Sequence, residues 1–279
     1  MFVLGYRDVR EVLQKLIDGS ITLDEAEKQL RMNAIIEVGS LAKIDVNRQV
    51  RKGIPEIILA EGKSPGDVAR IALEAVSRSG RTIVSRASLD VAEVVRAAAP
   101  PDISVEFREA ARIILLKSRG SQPEQTGGRV GVLTAGTSDI PVAEEAKAVA
   151  EEMGCTVISA YDVGVAGIHR LFPSLKRMVE EDVDIIVAIA GREGAMASVV
   201  AGIVDVPVVG VPTSSGYGFG EKGLSALMAM LQACSLGLAV VNIDGGVAAG
   251  TFAALIANRI AEARRCKEER GEGPLEAHR

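Results

Sequence analysis

The sequence predicts an α/β protein: a larger three-layer domain on a parallel sheet of flavodoxin or Rossmann type, preceded by a smaller α/β domain. Three observations predict it. From Gly128 to Gly250 one device recurs, a short Val- and Ile-rich run that stops abruptly in Gly, Ser, Thr, Asp or His, as in RVGVLTAGTSD, TVISAYDVGVAGIHR, DIIVAIAGREGA, PVVGVPTSSGYG and LAVVNIDGG. Between these runs lie segments with the apolar spacing of helices, the alternation that a parallel sheet covered on both faces requires. Ahead of them the periodicity is different, and a polar stretch, KSRGSQPEQTGGRV, separates the two parts.

Residues 1–120 read as the smaller domain. DVREVLQKLIDGSITLDEAEKQLR has helical spacing interrupted by a Gly-Ser-Ile-Thr turn, with Ser20 or Thr22 as the cap of the second helix. LAKIDVNRQ and RTIVSRAS read as strands, SPGDVARIALEAVSRSG and DVAEVVRAAA as helices. Lys43, Arg48, Arg51, Lys52, Arg81 and Arg86 recur here, a possible anion contact for which solvated surface charge is the simpler account. Residues 128–265 then alternate strand and helix about five times. The segment after Ala261 reads as a solvated helix end passing into a flexible tail over 266–279, which makes Cys266 and His278 poor candidates for chemistry.

Composition narrows the class. The 279 residues are 48% hydrophobic and 25% charged, with a formal net charge of -5 and no long Lys/Arg block, so a soluble protein is expected and nucleic acid is not. Aromatic residues are 3%, Trp is absent and Gly numbers 29, which points to cores built on close backbone approach. Three irregularly spaced cysteines argue against a disulfide framework and for a reducing, cytoplasmic setting. The opening residues acquire charge too early for a signal peptide. Gly223 to Ile243 carries no formal charge, but Cys234-Ser-Leu-Gly divides it into a helix and a strand, so no membrane span is expected.

The strand-end rule for open α/β sheets delivers the small and polar residues to one edge. Gly136, Thr137, Ser138 and Asp139 follow the first strand of the larger domain and open a helix, where anions bind well; alternatively Ser138 or Asp139 simply caps that helix. Asp162, His169 and Arg170 follow the second strand, and a single His there is as readily structural as catalytic. Arg192 and Glu193 follow the third, Glu193 being either a base or a dipole partner. Gly218, Gly220 and Gly223 spell G-x-G-x-x-G with Asp244 about 20 residues on, yet the first Gly does not end its strand, so a flexible loop of Ser214, Ser215, Gly216 and Tyr217 through Gly220 covering a ligand is the better reading. Cys234, in QACSLG, is a candidate nucleophile or an inert filler, whereas Cys155, without polar company in MGCTVIS, reads as core.

Together, TAGTSDIPVAEEA, DVGVAGIHRL, AG-x-EGAMASVVAG, VPTSSGYG and the C-S-x-G-x-x-VVNID run resemble the LarB family of nickel-pincer nucleotide biosynthesis, whose C-terminal half is similar to the PurE-type aminoimidazole ribonucleotide carboxylase/mutase. The match is dense over 128–255 and looser before it. Arg192 stands where an uncharged Met is expected, and NIDGG, with Gly245, replaces NIDNG. The resemblance implies carboxylation of nicotinic acid adenine dinucleotide at pyridinium carbon 5 with carbon dioxide or bicarbonate, and phosphoanhydride cleavage to AMP and pyridinium-3,5-biscarboxylic acid mononucleotide. It also implies that Cys234, Glu193 and His169 are catalytic, Cys234 adding to the ring, Glu193 removing the carbon 5 proton and His169 orienting or neutralising carboxylate and phosphate charge with Arg170, and that Arg170, Asp162, Asp244 and the two loops hold the substrate. No clustered metal-ligand set is present, so neither a cofactor nor a metal is expected. An assembly of identical subunits, an octamer in such families, is implied, and GGVAAGTFAALIANRIAEA offers a small-residue helix face that serves equally inside one chain. The rival readings are an aminoimidazole ribonucleotide carboxylase/mutase with no use for Cys234, a non-catalytic dinucleotide-binding protein, and a hydride-transfer dehydrogenase.

Overall fold

The computed structural model describes residues 6–31, 35–38, 41–45, 48–216 and 218–270. The chain divides into two units, Met1–Gln122 and Pro123–Arg279. In the first, helices α1 (Tyr6–Ile17) and α2 (Leu23–Arg31) are separated by the expected turn. Thr22 is the cap: its Oγ1 accepts from Glu25 N at 3.2 Å while Glu25 Oε2 accepts from Thr22 N at 2.8 Å, a reciprocal box. An antiparallel hairpin, β1 (Ile35–Val38) and β2 (Ala42–Asp45), is followed by α3 (Arg48–Lys52).

The remainder of this unit is β3 (Glu56–Leu59), α4 (Pro65–Ser79), β4 (Arg81–Ser85), α5 (Leu89–Ala98), β5 (Ile103–Arg108) and β6 (Ile113–Ser118). Their sheet runs β3-β4-β6-β5, with β3 and β4 parallel and the other pairs antiparallel. Strands β1, β3, β5 and β6 have no counterpart in the sequence reading, and α3 begins within the last residues of LAKIDVNRQ, read as strand. The β5–β6 connection, Glu109-Ala-Ala-Arg112, holds no turn-forming Gly, Pro, Asn or Asp, and Arg112 itself takes the left-handed conformation at φ 52°. Among the basic residues of this unit, Arg48 lies 3.0 Å from Glu56, Arg86 lies 3.1 Å from Glu61, and Arg81 is buried.

The second unit alternates strand and helix five times, as its periodicity predicts. The elements are β7 (Arg129–Thr134), α6 (Ile140–Glu152), β8 (Thr156–Ala160), α7 (Leu171–Glu180), β9 (Ile185–Ala190), α8 (Ala195–Ala201), β10 (Val208–Pro212), α9 (Leu224–Leu231), β11 (Leu238–Val240) and α10 (Gly246–Glu269). All pairs are parallel and the order is β11-β10-β9-β7-β8. Read from the other side this is the flavodoxin-like 2-1-3-4-5 order, in which the chain reverses direction between β7 and β9 and opens a crevice at that point. Strands β9 and β10 are buried along their whole length, and Leu133, Ile186, Ala188, Met196, Leu175 and Met178 form the core under α7 and α8.

Helix α10 packs on α6 through its small residues. A Cβ at Gly250 would lie 2.3 Å from Ala146 O, so only Gly allows this approach, and Ala249, Ala253, Ala254 and Ala257 are buried beside it. Of the two uses read for this small-residue face, packing between subunits or within one chain, the second is the one seen. Cys266 also belongs to this helix, which continues four residues into the span read as tail, while His278 and residues 271–279 lie outside the described residues. Among the described residues no helix is long and apolar enough to cross a membrane.

Candidate functional site

Four strand ends converge at the switch point. After β7 come Ala135, Gly136, Ser138 and Asp139; after β8, Gly164, Val165 and Ala166; after β9, Gly191, Arg192 and Glu193; after β10, Ser215. With Ala190, Ala195 and Met196 they line a cleft of about 270 Å³. The walls can close because the backbone is bare: a Cβ on Gly191 would sit 2.3 Å from Ser215 Oγ and 2.8 Å from Thr213 Oγ1.

Asp139 is the centre of this edge. It is 3% exposed, and its carboxylate accepts from Gly136 N at 2.9 Å, Thr213 Oγ1 at 2.6 Å and Ser215 Oγ at 3.0 Å. Asp139 is the residue that precedes α6 and its side chain makes no cap bond to that helix, but its bond from Gly136 N closes the short turn Thr137–Asp139 that leads into it, so the capping alternative holds in part. The carboxylate also joins the β7 loop to the β10 loop, and three donors hold it as an acceptor. The sequence reading has no place for Thr213, buried at the end of β10, or for Thr134, whose buried Oγ1 accepts from Asp162 N at 3.0 Å. Both are hydroxyls at the ends of apolar strands, where burial obliges each to find a partner.

The neighbouring loops are tied in the same manner. Asp244 Oδ1 accepts from Ser214 N at 2.8 Å and Asp244 N donates to Pro212 O at 2.9 Å, linking the ends of β10 and β11. Asp162, Arg192 and Asp244, each just beyond a strand, adopt left-handed φ of 57°, 52° and 54°. Such strained backbone is held only where the surroundings over-determine it, and it gathers at binding loops. Arg170 Nη1 is hydrogen-bonded to Asp162 Oδ2, and its guanidinium lies over Gly167, so this cation is already engaged. His169 is exposed on the same short helical segment, Val165–Arg170, and does not line the cleft. Thr137 is exposed beside Ser138, Gly216 lies against the Arg192 backbone, and Tyr217 is outside the described residues.

Cys234 is not at this edge of its own chain. Loops that follow parallel strands emerge at the carboxyl edge, but 232–237 precedes β11 and emerges at the amino edge; Ser235 Oγ lies 3.1 Å from Ser198 Oγ, near the C-terminal end of α8. Strands of five residues rising about 3.3 Å each place the two edges roughly 15 Å apart. Cys234 is exposed and flanked by Leu231 and Leu236, 66% and 90% exposed. Cys155 does have polar company: its Sγ is 3.1 Å from Asn258 Oδ1, and burial pushes its thiol up to about 12. Among the described residues no group of three or more His, Cys, Asp or Glu could hold a metal ion.

Known proteins share both units. A family described as AIR carboxylase matches residues 129–270, and one described as LarB/PurE-like N-terminal domain matches residues 36–119. Uncharacterized protein MJ0165 of Methanocaldococcus jannaschii is 44% identical over 253 residues, 90% of this chain and 97% of that protein. N5-carboxyaminoimidazole ribonucleotide mutases of Thermotoga maritima and Pyrococcus horikoshii are each 31% identical, over 46% and 47% of this chain and 74% and 71% of their own lengths.

Proposed function

Because the chain belongs to the LarB family, with a LarB-type N-terminal domain before a PurE-like carboxylase/mutase domain, we propose that it carboxylates nicotinic acid adenine dinucleotide at pyridinium carbon 5. We further propose that it cleaves the phosphoanhydride, giving pyridinium-3,5-biscarboxylic acid mononucleotide and AMP. The observation that carries this reading is the cleft at the switch point, whose lining brings an exposed carboxylate, Glu193, together with the fixed hydroxyl and backbone groups around Asp139. Ribose and phosphate are held by Gly136, Thr137, Ser138 and the Ser214–Ser215 loop.

A pyridinium ring is electron-poor, so carbon 5 does not attack carbon dioxide unaided. Addition of the Cys234 thiolate to the neighbouring ring carbon gives a neutral dihydropyridine whose carbon 5 is enamine-like and nucleophilic. Carbon 5 then bonds to carbon dioxide, Glu193 takes the carbon 5 proton, and the returning electron pair restores the aromatic ring as the carbon–sulfur bond breaks. Water completes the phosphoanhydride cleavage. Since Cys234 sits at the amino edge of its own chain, the thiolate comes from a second copy of the protein, whose 231–236 loop presents Cys234 between two exposed leucines. That requirement calls for an assembly of at least two identical subunits, which the family resemblance makes octameric in this proposal.

The test is mass spectrometry of the products after incubation with nicotinic acid adenine dinucleotide and bicarbonate. Gain of one carboxyl on the mononucleotide with release of AMP is expected. Robust turnover of aminoimidazole ribonucleotide or of its N5-carboxy derivative with none of the dinucleotide would overturn the reading, in favour of a carboxylase or of the mutase activity named for the relatives of the C-terminal half.

A further inference from the structure

We propose that the hollow beside the first turn of α9 is the second lobe of the ligand site, where the purine base of a dinucleotide stacks on Phe219 and its anionic bridge crosses at Arg192. The inference rests on the reading above and names what that reading leaves open: where the half of the substrate that is not carboxylated sits. The switch-point cleft, at about 270 Å³, falls short of the roughly 300–1,000 Å³ of ordinary small-ligand sites. It has room for one ring-bearing half.

A second hollow adjoins it. Arg192 and Glu193 line both this cleft and that hollow of about 480 Å³, whose other walls are Gly218, Phe219, Gly220, Ser225 and Ala229. The turn that carries them is a fixed partition: Ser225 Oγ donates to Arg192 O at 2.5 Å, and Arg192 is left-handed at φ 52°. The two lobes differ in chemistry. The first offers backbone and hydroxyl groups for sugar and phosphate and a carboxylate for a sugar hydroxyl; the second offers a fully exposed aromatic ring, glycine backbone and a methyl group, and Leu224 and Met228 line a further hollow with Phe219. An exposed ring beside bare backbone suits a planar base, because every base has a face that stacks. Among the described residues, Arg192 is the one cation in both linings. A diphosphate joining the lobes therefore crosses at Arg192.

Calorimetric titration of full-length wild type, Phe219→Ala and Arg192→Gln with nicotinic acid adenine dinucleotide, nicotinic acid mononucleotide and AMP tests this, with light scattering on each variant. Phe219→Ala is expected to weaken the dinucleotide and AMP about tenfold while leaving the mononucleotide within about twofold, the loss of one stacked base. Arg192→Gln is expected to weaken the dinucleotide by a similar factor with its assembly mass unchanged. An unchanged dinucleotide affinity in Phe219→Ala, an equal loss for the mononucleotide, or a changed assembly mass, which would make Phe219 a subunit contact, overturns the second lobe. If wild type forms carboxylated product and both variants bind like it, only this inference falls. If wild type neither binds nor converts the dinucleotide, the function proposed above falls with it.

Discussion

The two edges of the five-stranded sheet both carry a buried aspartate with three donors, and the comparison separates a site from a staple. At the carboxyl edge Asp139 accepts from one backbone N–H and two hydroxyls, all on loops that continue into the wall of a cleft. At the amino edge Asp184 accepts from Arg129 N at 2.7 Å and from both terminal nitrogens of Arg264, at 2.9 and 3.1 Å, which pins α10 beneath the sheet. Burial and hydrogen bonding are alike. What differs is where the donors lead: into binding loops in one case, back into the fold in the other. A buried carboxylate is thus evidence of a site only when its partners border open space.

The largest effect is expected from Cys234→Ser. Carboxylation should fall at least about a thousandfold while dinucleotide binding persists, since an alcohol fills nearly the thiol's volume and is a far poorer nucleophile near neutral pH. The variant also tests whether the amino edge of one chain serves the carboxyl edge of another. Cys234→Ser and Glu193→Gln proteins, each inactive, should regain activity when denatured together and refolded, because some mixed sites then hold both an intact thiol and an intact carboxylate. Mixed assemblies that stay as inactive as the parents would show that the two groups never meet across subunits.

Next, Asp139→Asn and Asp184→Asn should each lower stability by about 2 kcal/mol, the range for hydrogen bonds to a buried charge, measured by urea denaturation. Only Asp139→Asn should also reduce kcat/KM. Equal kinetic losses in both variants would erase the distinction between site and staple. Thr213→Val should act at the same point more gently, about 1 kcal/mol, by removing one donor to Asp139 while keeping the side chain's shape.

Much of this was legible in the residues. The five apolar runs ending in small and polar residues are the five strand ends, and Ser138, Asp139 and Glu193 meet at the cleft as the strand-end rule requires. Thr213 and Thr134 were not, because a threonine at the end of a Val-rich strand carries the same signal whether its hydroxyl is buried or solvated. Strands β5 and β6 were hidden by Glu109-Ala-Ala-Arg112, whose helix-favouring residues form a hairpin turn only because the paired strands impose it. The placement of Cys234 turned on one fact of connectivity, that its loop enters a strand rather than leaving it.

The smallest effect concerns Cys155, which joins the amino-edge staples through Asn258, itself donating to Met153 O and hydrogen-bonded to Thr126. Burial raises this thiol from 9.0 to about 12, so the folded protein keeps a proton that the unfolded chain releases. The sign follows. The contribution is complete below pH 9 and is lost as pH climbs from 9 towards 12, amounting to about 1 kcal/mol by pH 10. Cys155→Ala should therefore narrow the difference in unfolding free energy between pH 8 and pH 10, without altering turnover at pH 8. In wild type at pH 8, iodoacetamide should modify the exposed Cys234 and Cys266 and spare Cys155 until the chain is unfolded. Rapid alkylation of Cys155 in the native protein, read by peptide mass, would mean that the amino edge opens as readily as the cleft, and the contrast between the two edges would lose its basis.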